Sequence, residues 1–123
     1  MRVPEELVER AVRTGEREAL AALVAAAQSD IFHLLLSRLG DATEAEDATQ
    51  ETFRQVLESL KTLREPRAFP GWIYRIALDK ARQARRARAA EKRTLSALAA
   101  RTSASGEHAM HPAEQAEIRE KVR

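Results

Sequence analysis

Glycine and proline, the two residues that interrupt helices most strongly, fall only between stretches of helical periodicity in this chain. They stand at Pro4, Gly15, Gly40, Pro66, Pro70, Gly71, Gly106 and Pro112. Between them apolar residues recur every three to four positions, and no alternating run of strand type occurs. The residues filling those stretches are largely Ala, Leu, Glu, Arg and Gln, all strong helix formers. The pattern predicts an all-α domain, a compact helical bundle. Apolar residues make up 44% of the 123 positions, but 24 of them are alanine. The core must therefore be thin and built by helices that approach one another closely.

The element boundaries follow from local signals. A short helix is predicted over 4–13, with Pro4 in its first turn, Glu5 and Glu6 complementing the helix dipole, and Gly15 closing it. Residues 16–39 read as one helix, or as a pair broken at Ser29-Asp30, whose side chains compete for backbone hydrogen bonds. Gly40 suits a left-handed C-terminal residue. Thr43-Glu44-Ala45-Glu46 fits a capping box, and it opens a predicted helix over 43–63. Ala45, Ala48, Thr49, Phe53, Val56, Leu57, Leu60 and Leu63 form its apolar stripe, while Asp47, Gln50, Glu51, Arg54 and Glu58 face away. Residues 64–71, with two prolines and a glycine, read as a loop. A further helix starts at Trp72. The domain is expected to occupy residues 1–101, followed over 102–123 by a flexible linker (102–111) and the start of a truncated helix.

Charge is segregated, although the net value is only +2. Residues 41–51 hold five acids and no base, and residues 75–93 hold eight bases against Asp79 and Glu91. Two partners of opposite charge explain this better than one uniformly solvated surface. Catalysis finds little support. Cysteine is absent, His33 has no ligating partner in register, and His108 and His111 sit in the linker. Ser37, Ser59 and Ser96 lack a base at helical spacing, and the glycines stand singly, so no phosphate loop exists. A binding protein without metal or cofactor is expected, not an enzyme. The N-terminus is charged and lacks the apolar stretch of a signal peptide. The longest apolar runs, such as Leu20 to Ala27, are short for a bilayer. A soluble, cytoplasmic protein without a membrane partner is therefore the expectation.

Three of the five aromatic residues, Phe69, Trp72 and Tyr74, precede the basic stretch. Aromatics beside Arg and Lys are what a protein uses to engage unstacked bases while neutralising phosphates. At this point two blocks carry a resemblance. Asp41-Ala42-Thr43-Glu44-Ala45-Glu46-Asp47-Ala48-Thr49-Gln50-Glu51-Thr52-Phe53 resembles the second conserved region of bacterial extracytoplasmic-function sigma factors. Phe69-Pro70-Gly71-Trp72-Ile73-Tyr74-Arg75-Ile76-Ala77, running into an Arg-rich tail, resembles the promoter-melting region that follows it. The resemblance covers roughly residues 16–93.

What the resemblance implies is a sigma region 2 bundle acting in transcription initiation. The helix bearing Asp47, Gln50, Glu51, Phe53 and Arg54 would dock on the clamp coiled coil of the RNA polymerase largest subunit. Arg64 and Arg67 of the loop, with Phe69, Trp72, Tyr74, Arg75, Asp79, Lys80, Arg82, Arg85 and Arg86, would meet the non-template strand of the minus-ten promoter element. An anti-sigma factor is a further partner known for such proteins, though no residue here identifies one. The sequence departs from the family at Leu78-Asp79, where Arg-Asn is usual, at Lys80, where an apolar residue is common, and at Ala48-Thr49, which replace a bulkier pair. The family's second DNA-binding domain has no counterpart in these residues, so a fragment is expected. Two alternatives remain open: a sigma-like adaptor or decoy that holds polymerase without opening DNA, and a generic helical nucleic-acid binder.

Overall fold

The computed structural model describes residues 1–104, which form four α-helices and, among the described residues, no strand. They are α1 (Glu5–Thr14), α2 (Arg17–Leu39), α3 (Ala42–Ser59) and α4 (Phe69–Ala104), with short 3-10 turns at Leu60–Thr62 and Pro66–Ala68. Helix α2 is the centre of the bundle and packs against α1, α3 and α4.

Both glycine stops act as expected. Gly15 (φ 63°) and Gly40 (φ 68°) adopt the left-handed conformation, and their amides donate to the carbonyls of Ala11 and Leu36 at 3.0 and 2.8 Å. A residue with a Cβ is strained at such an angle, so these two ends require glycine.

Several boundaries differ from the sequence expectation, among them the end of α3, which comes at Ser59 and passes into a 3-10 turn instead of running to Leu63. Helix α2 runs unbroken through Ser29-Asp30, because both side chains are exposed and Ser29 hydrogen-bonds inside the helix, its hydroxyl 3.3 Å from His33 Nδ1. The N-cap of α3 is Asp41, not Thr43. Gly40 turns the chain so that Asp41 is extended, and its carboxylate accepts from the Glu44 amide at 3.0 Å. Helix α4 begins at Phe69 instead of Trp72. Pro70 is its second residue, where a missing amide costs nothing and its fixed φ favours the helix. At the far end α4 continues to Ala104, past the expected start of the linker at 102. The rest of the expected linker and the helix start at Pro112 lie outside the described residues.

Because α2 is continuous, it is 23 residues long with a mean hydropathy of 1.7 in its most apolar window, enough by length and composition to cross a membrane. Uninterrupted apolar runs such as Leu20 to Ala27 understate this length, because the helix carries Gln28, Ser29, Asp30 and His33 within its apolar span. Ala19, Leu23, Ala27, Ile31, Leu35 and Leu39 are all buried against the other helices, the position of a core helix. Their spacing of four advances about 40° per step on a 3.6-residue helix. The buried stripe therefore winds around α2, turning from α1 toward α3 and α4.

The core is thin in the way its alanines require. Ala27 of α2, Ala45 of α3 and Ala77 of α4 are each fully buried, small side chains that let the helices approach closely. Phe69, Leu23, Ile31, Leu35 and Ile73 are the largest wholly buried side chains around them. Thr49 and Thr52 are also buried on α3, and each returns its hydroxyl to the carbonyl four residues back, at 2.7 Å. That satisfies a polar group that would otherwise cost about 1–3 kcal/mol in the interior.

Candidate functional site

Helix α3 carries the acidic surface. Its buried side is Ala45, Ala48, Thr49, Thr52, Phe53 and Val56, which leaves Asp47, Gln50, Glu51 and Arg54 exposed. Arg54 and Glu51 form an ion pair at 3.1 Å, well open to solvent and so of little energetic weight. Phe53 requires a correction. It is 7% exposed and belongs to the core cluster, so it supports the acidic face from behind and is removed from the set of docking residues.

The two flanks of α3 border different grooves. Toward α4, Glu44, Asp47 and Glu51 face Lys80, Arg88 and Glu91 across a groove holding Ala48, Ala84 and Ala87. Toward α2, Glu46 and Gln50 lie beside Gln28 and Phe32, and Leu57 lies beside Leu20 and Val24. Leu57 was assigned to the apolar stripe, but it is 45% exposed. The stripe is narrower than helical spacing alone indicates, because α2 covers only its middle.

Helix α4 sorts its bases into two groups. Arg75, Arg82, Arg86 and Arg93 are exposed, and their spacing of seven, four and seven residues aligns them on the side opposite the core. Asp79 lies in the same line and pairs with Arg82 at 3.1 Å. The second group reaches toward α2 and α3, Arg85 while still exposed and Arg88 half-buried. Arg85 donates to the carbonyl of Arg38 at 2.6 Å. Arg88 donates from Nε to Glu44 Oε1 at 3.0 Å and from Nη2 to the carbonyl of Leu39 at 3.0 Å, and its Nη2 also meets Glu44 Oε2. The last carbonyls of a helix have no partner within it. Here α4 supplies donors to the end of α2. Lys80 also points toward the α3–α4 groove, away from the outward line.

The aromatic cluster is divided as well. Phe69 is fully buried, so it is corrected from a DNA contact to a core residue. Trp72 is half-buried beside it, the ring centroids 6.0 Å apart and tilted by 44°. Tyr74, two residues on, is about 200° away around the helix. The three rings therefore do not form one stacking platform. Arg64 and Arg67 are exposed in the connection before α4, and Arg67 lies 3.9 Å from Glu65.

Arg88 is the residue that sequence reasoning passed over. Its only signal was a helix ending at Gly40 with carbonyls in need of donors, and nothing local assigns that need to a residue 49 positions away. His33 is an exposed helix-surface residue whose Nδ1 lies 2.8 Å from the Ser29 carbonyl oxygen. Among the described residues no group of His, Cys, Asp or Glu is placed to hold a metal ion.

The family model described as Sigma-70 region 2 matches residues 23–91. The chain is 38% identical over 78 residues to the RNA polymerase sigma-H factor of Pseudomonas aeruginosa, a match covering 63% of this chain and 40% of the relative. It is 34% identical over 68 residues to the ECF RNA polymerase sigma factor SigW of Bacillus subtilis, covering 55% and 36%. It is 36% identical over 76 residues to the ECF RNA polymerase sigma-E factor of Haemophilus influenzae, covering 62% and 39%. The matched part thus spans about two fifths of each relative. No solved structure matches. Since the matched segment runs from inside α2 to the middle of α4 and takes in more than half of the chain, the protein belongs to the sigma-70 region 2 family.

Proposed function

We propose that this domain acts in transcription initiation in the bacterial cytoplasm, joining the RNA polymerase core to promoter DNA. The observation that carries the proposal is the placement of two oppositely charged exposed surfaces on neighbouring helices of a region 2 bundle. Asp47, Gln50, Glu51 and Arg54 line the outer face of α3, and Arg75, Arg82, Arg86 and Arg93 line the outer face of α4. The acidic face suits a basic helical partner, the clamp coiled coil of the largest subunit. The basic line suits the phosphates of a nucleic acid, which supply affinity and position without sequence information.

In this reading the connection bearing Arg64 and Arg67, together with Trp72 and Tyr74, lies along the non-template strand of the minus-ten element. Extruding a base from a duplex costs a few kcal/mol, which stacking and pocket contacts must offset. Trp72 packs against Phe69 and is half-buried, which leaves part of its ring open to a base. The domain contributes no covalent chemistry and uses no cofactor. Its work is to hold the polymerase in register with a strand.

Co-purification with core polymerase tests the first half, and strand opening on a promoter carrying a short bubble tests the second. Binding to polymerase without acceleration of opening would identify an adaptor or decoy. DNA binding without polymerase binding would leave only a nucleic-acid binder.

A further inference from the structure

The core holds α4 along only part of its length. Phe69, Ile73, Ile76, Ala77 and Ala81 are its buried residues, and from Arg82 to Thr102 no residue is buried. Past Ala81 the side of α4 nearest α3 carries Ala84 and Ala87, which border an open groove across from Ala48 without filling it. Packing therefore sets the direction of the helix from Phe69 to Ala81 only, roughly three and a half turns. Two of the four arginines in the outward line, Arg86 and Arg93, lie beyond that point. Arg93 stands about 18 Å past Ala81 at 1.5 Å per residue. A tilt of about 10° at Ala81 displaces it by about 3 Å, the length of a hydrogen bond.

What holds the distal part is polar. Arg85 donates to the Arg38 carbonyl at 2.6 Å, and Arg88 donates to the Leu39 carbonyl and to Glu44 Oε1, each at 3.0 Å. The acceptors cluster at the α2–α3 turn. Two are carbonyls at the C-terminal end of α2, where partial negative charge favours a cation. The third is a carboxylate in the first turn of α3. Arg85 and Arg88 flank Arg86 in sequence, so the bonds act on the segment that carries it.

We propose that Arg85 and Arg88 are positioning residues that latch α4 to the α2–α3 turn, fix the direction of its distal half and so aim Arg86 and Arg93 at a nucleic-acid strand. Arg88 is the principal member. Its planar guanidinium holds acceptors on two helices at once, a geometry that a lysine ammonium does not reproduce. Without the latch α4 samples a range of tilts. Only a fraction of them matches a bound strand, and the apparent affinity falls by that fraction. The latch itself touches no phosphate, so the contacts made once the strand is bound, and with them the salt slope, stay the same. This inference rests on the reading that the outer face of α4 binds nucleic acid.

The test separates aim from charge. Glu44→Ala and Arg88→Lys each break the latch without removing a positive charge. Glu44→Ala removes a negative one, so on charge alone it binds DNA more tightly. The full chain has no cysteine, so nitroxide labels go on Gln28→Cys in α2 and Ala97→Cys in α4, both exposed. Pulsed electron spin resonance, without DNA and at a temperature where circular dichroism shows every variant folded, is expected to give one narrow distance distribution for the parent. Broader distributions are expected for both latch variants. Their binding to a fluorescent oligothymidine of about 15 nucleotides is expected to weaken about threefold or more, with the salt slope unchanged. Distributions that stay narrow overturn the proposal, and so do broadened ones accompanied by equal or tighter binding. A flattened salt slope in Arg88→Lys also overturns it, since Arg88 is then a phosphate contact. Oligothymidine binding that Arg86→Ala with Arg93→Ala leaves unchanged overturns the nucleic-acid reading instead, and the distances, which need no DNA, tell that failure from failure of the latch.

Discussion

Arg88 of α4 reaches Glu44 in the first turn of α3 and, with the same guanidinium, the Leu39 carbonyl at the end of α2. One side chain thus joins three helices at the α2–α3 turn, with about a third of each charged side chain open to solvent. Replacing Arg88 by Ala leaves the carboxylate of Glu44 and the carbonyl of Leu39 without their donor. A loss of about 1–3 kcal/mol is expected. It is read as a lower midpoint in thermal or urea unfolding, while Arg86→Ala, on the outer face, is expected to leave the midpoint within about 0.5 kcal/mol of the parent. Equal midpoints for the two variants would show that the contact carries no stability.

The acidic face of α3 is separable from the core behind it. Asp47→Lys with Glu51→Lys is expected to abolish or strongly reduce co-purification with core polymerase. The only described interaction it removes is the exposed Glu51–Arg54 pair, worth about 0–1 kcal/mol. Unfolding curves of the double variant should therefore overlay those of the parent. Retained polymerase binding by a folded double variant would count against docking through this face.

Arg86→Ala combined with Arg93→Ala is expected to weaken binding to single-stranded and bubble DNA of any sequence. For two phosphate contacts on a single strand, the slope of log affinity against log salt should flatten by about 1.4. Arg85→Ala serves as the comparison, because the Arg85 guanidinium is engaged at the Arg38 carbonyl. A salt slope unchanged in the Arg86/Arg93 variant and flattened in the Arg85 variant would reverse this division of labour.

Asp79 is the one carboxylate in the outward line of arginines on α4, and it holds Arg82 in an exposed pair. Asp79→Asn keeps the shape, removes the charge and releases Arg82 toward solvent. The variant is expected to bind single-stranded minus-ten DNA several-fold more tightly, with stability changed by less than about 1 kcal/mol. Titrations in which it binds equally or more weakly would show that Asp79 does not repel the strand.

The all-α class, the two glycine-closed helix ends and the family were legible in the residues themselves, because each depends on neighbours within a few positions. Gly15 and Gly40 stop helices through their own backbone freedom, and the acidic and basic runs are contiguous in sequence. Tertiary structure alone decided how those residues are used. Phe53, which also stands in the apolar stripe, and Phe69 were partner contacts by the resemblance and are core in the structure. Ser29-Asp30 had the residue types of a break, yet the packing of α2 against all its neighbours keeps one continuous helix. Arg85 and Arg88 were indistinguishable from Arg86 in a basic run. They differ only in angle around α4, and that angle matters because the end of α2 lies on one side of it and solvent on the other. A periodic sequence specifies which residues share a face. Which face meets a neighbour is set by contacts between residues more than forty positions apart, and no local pattern encodes them.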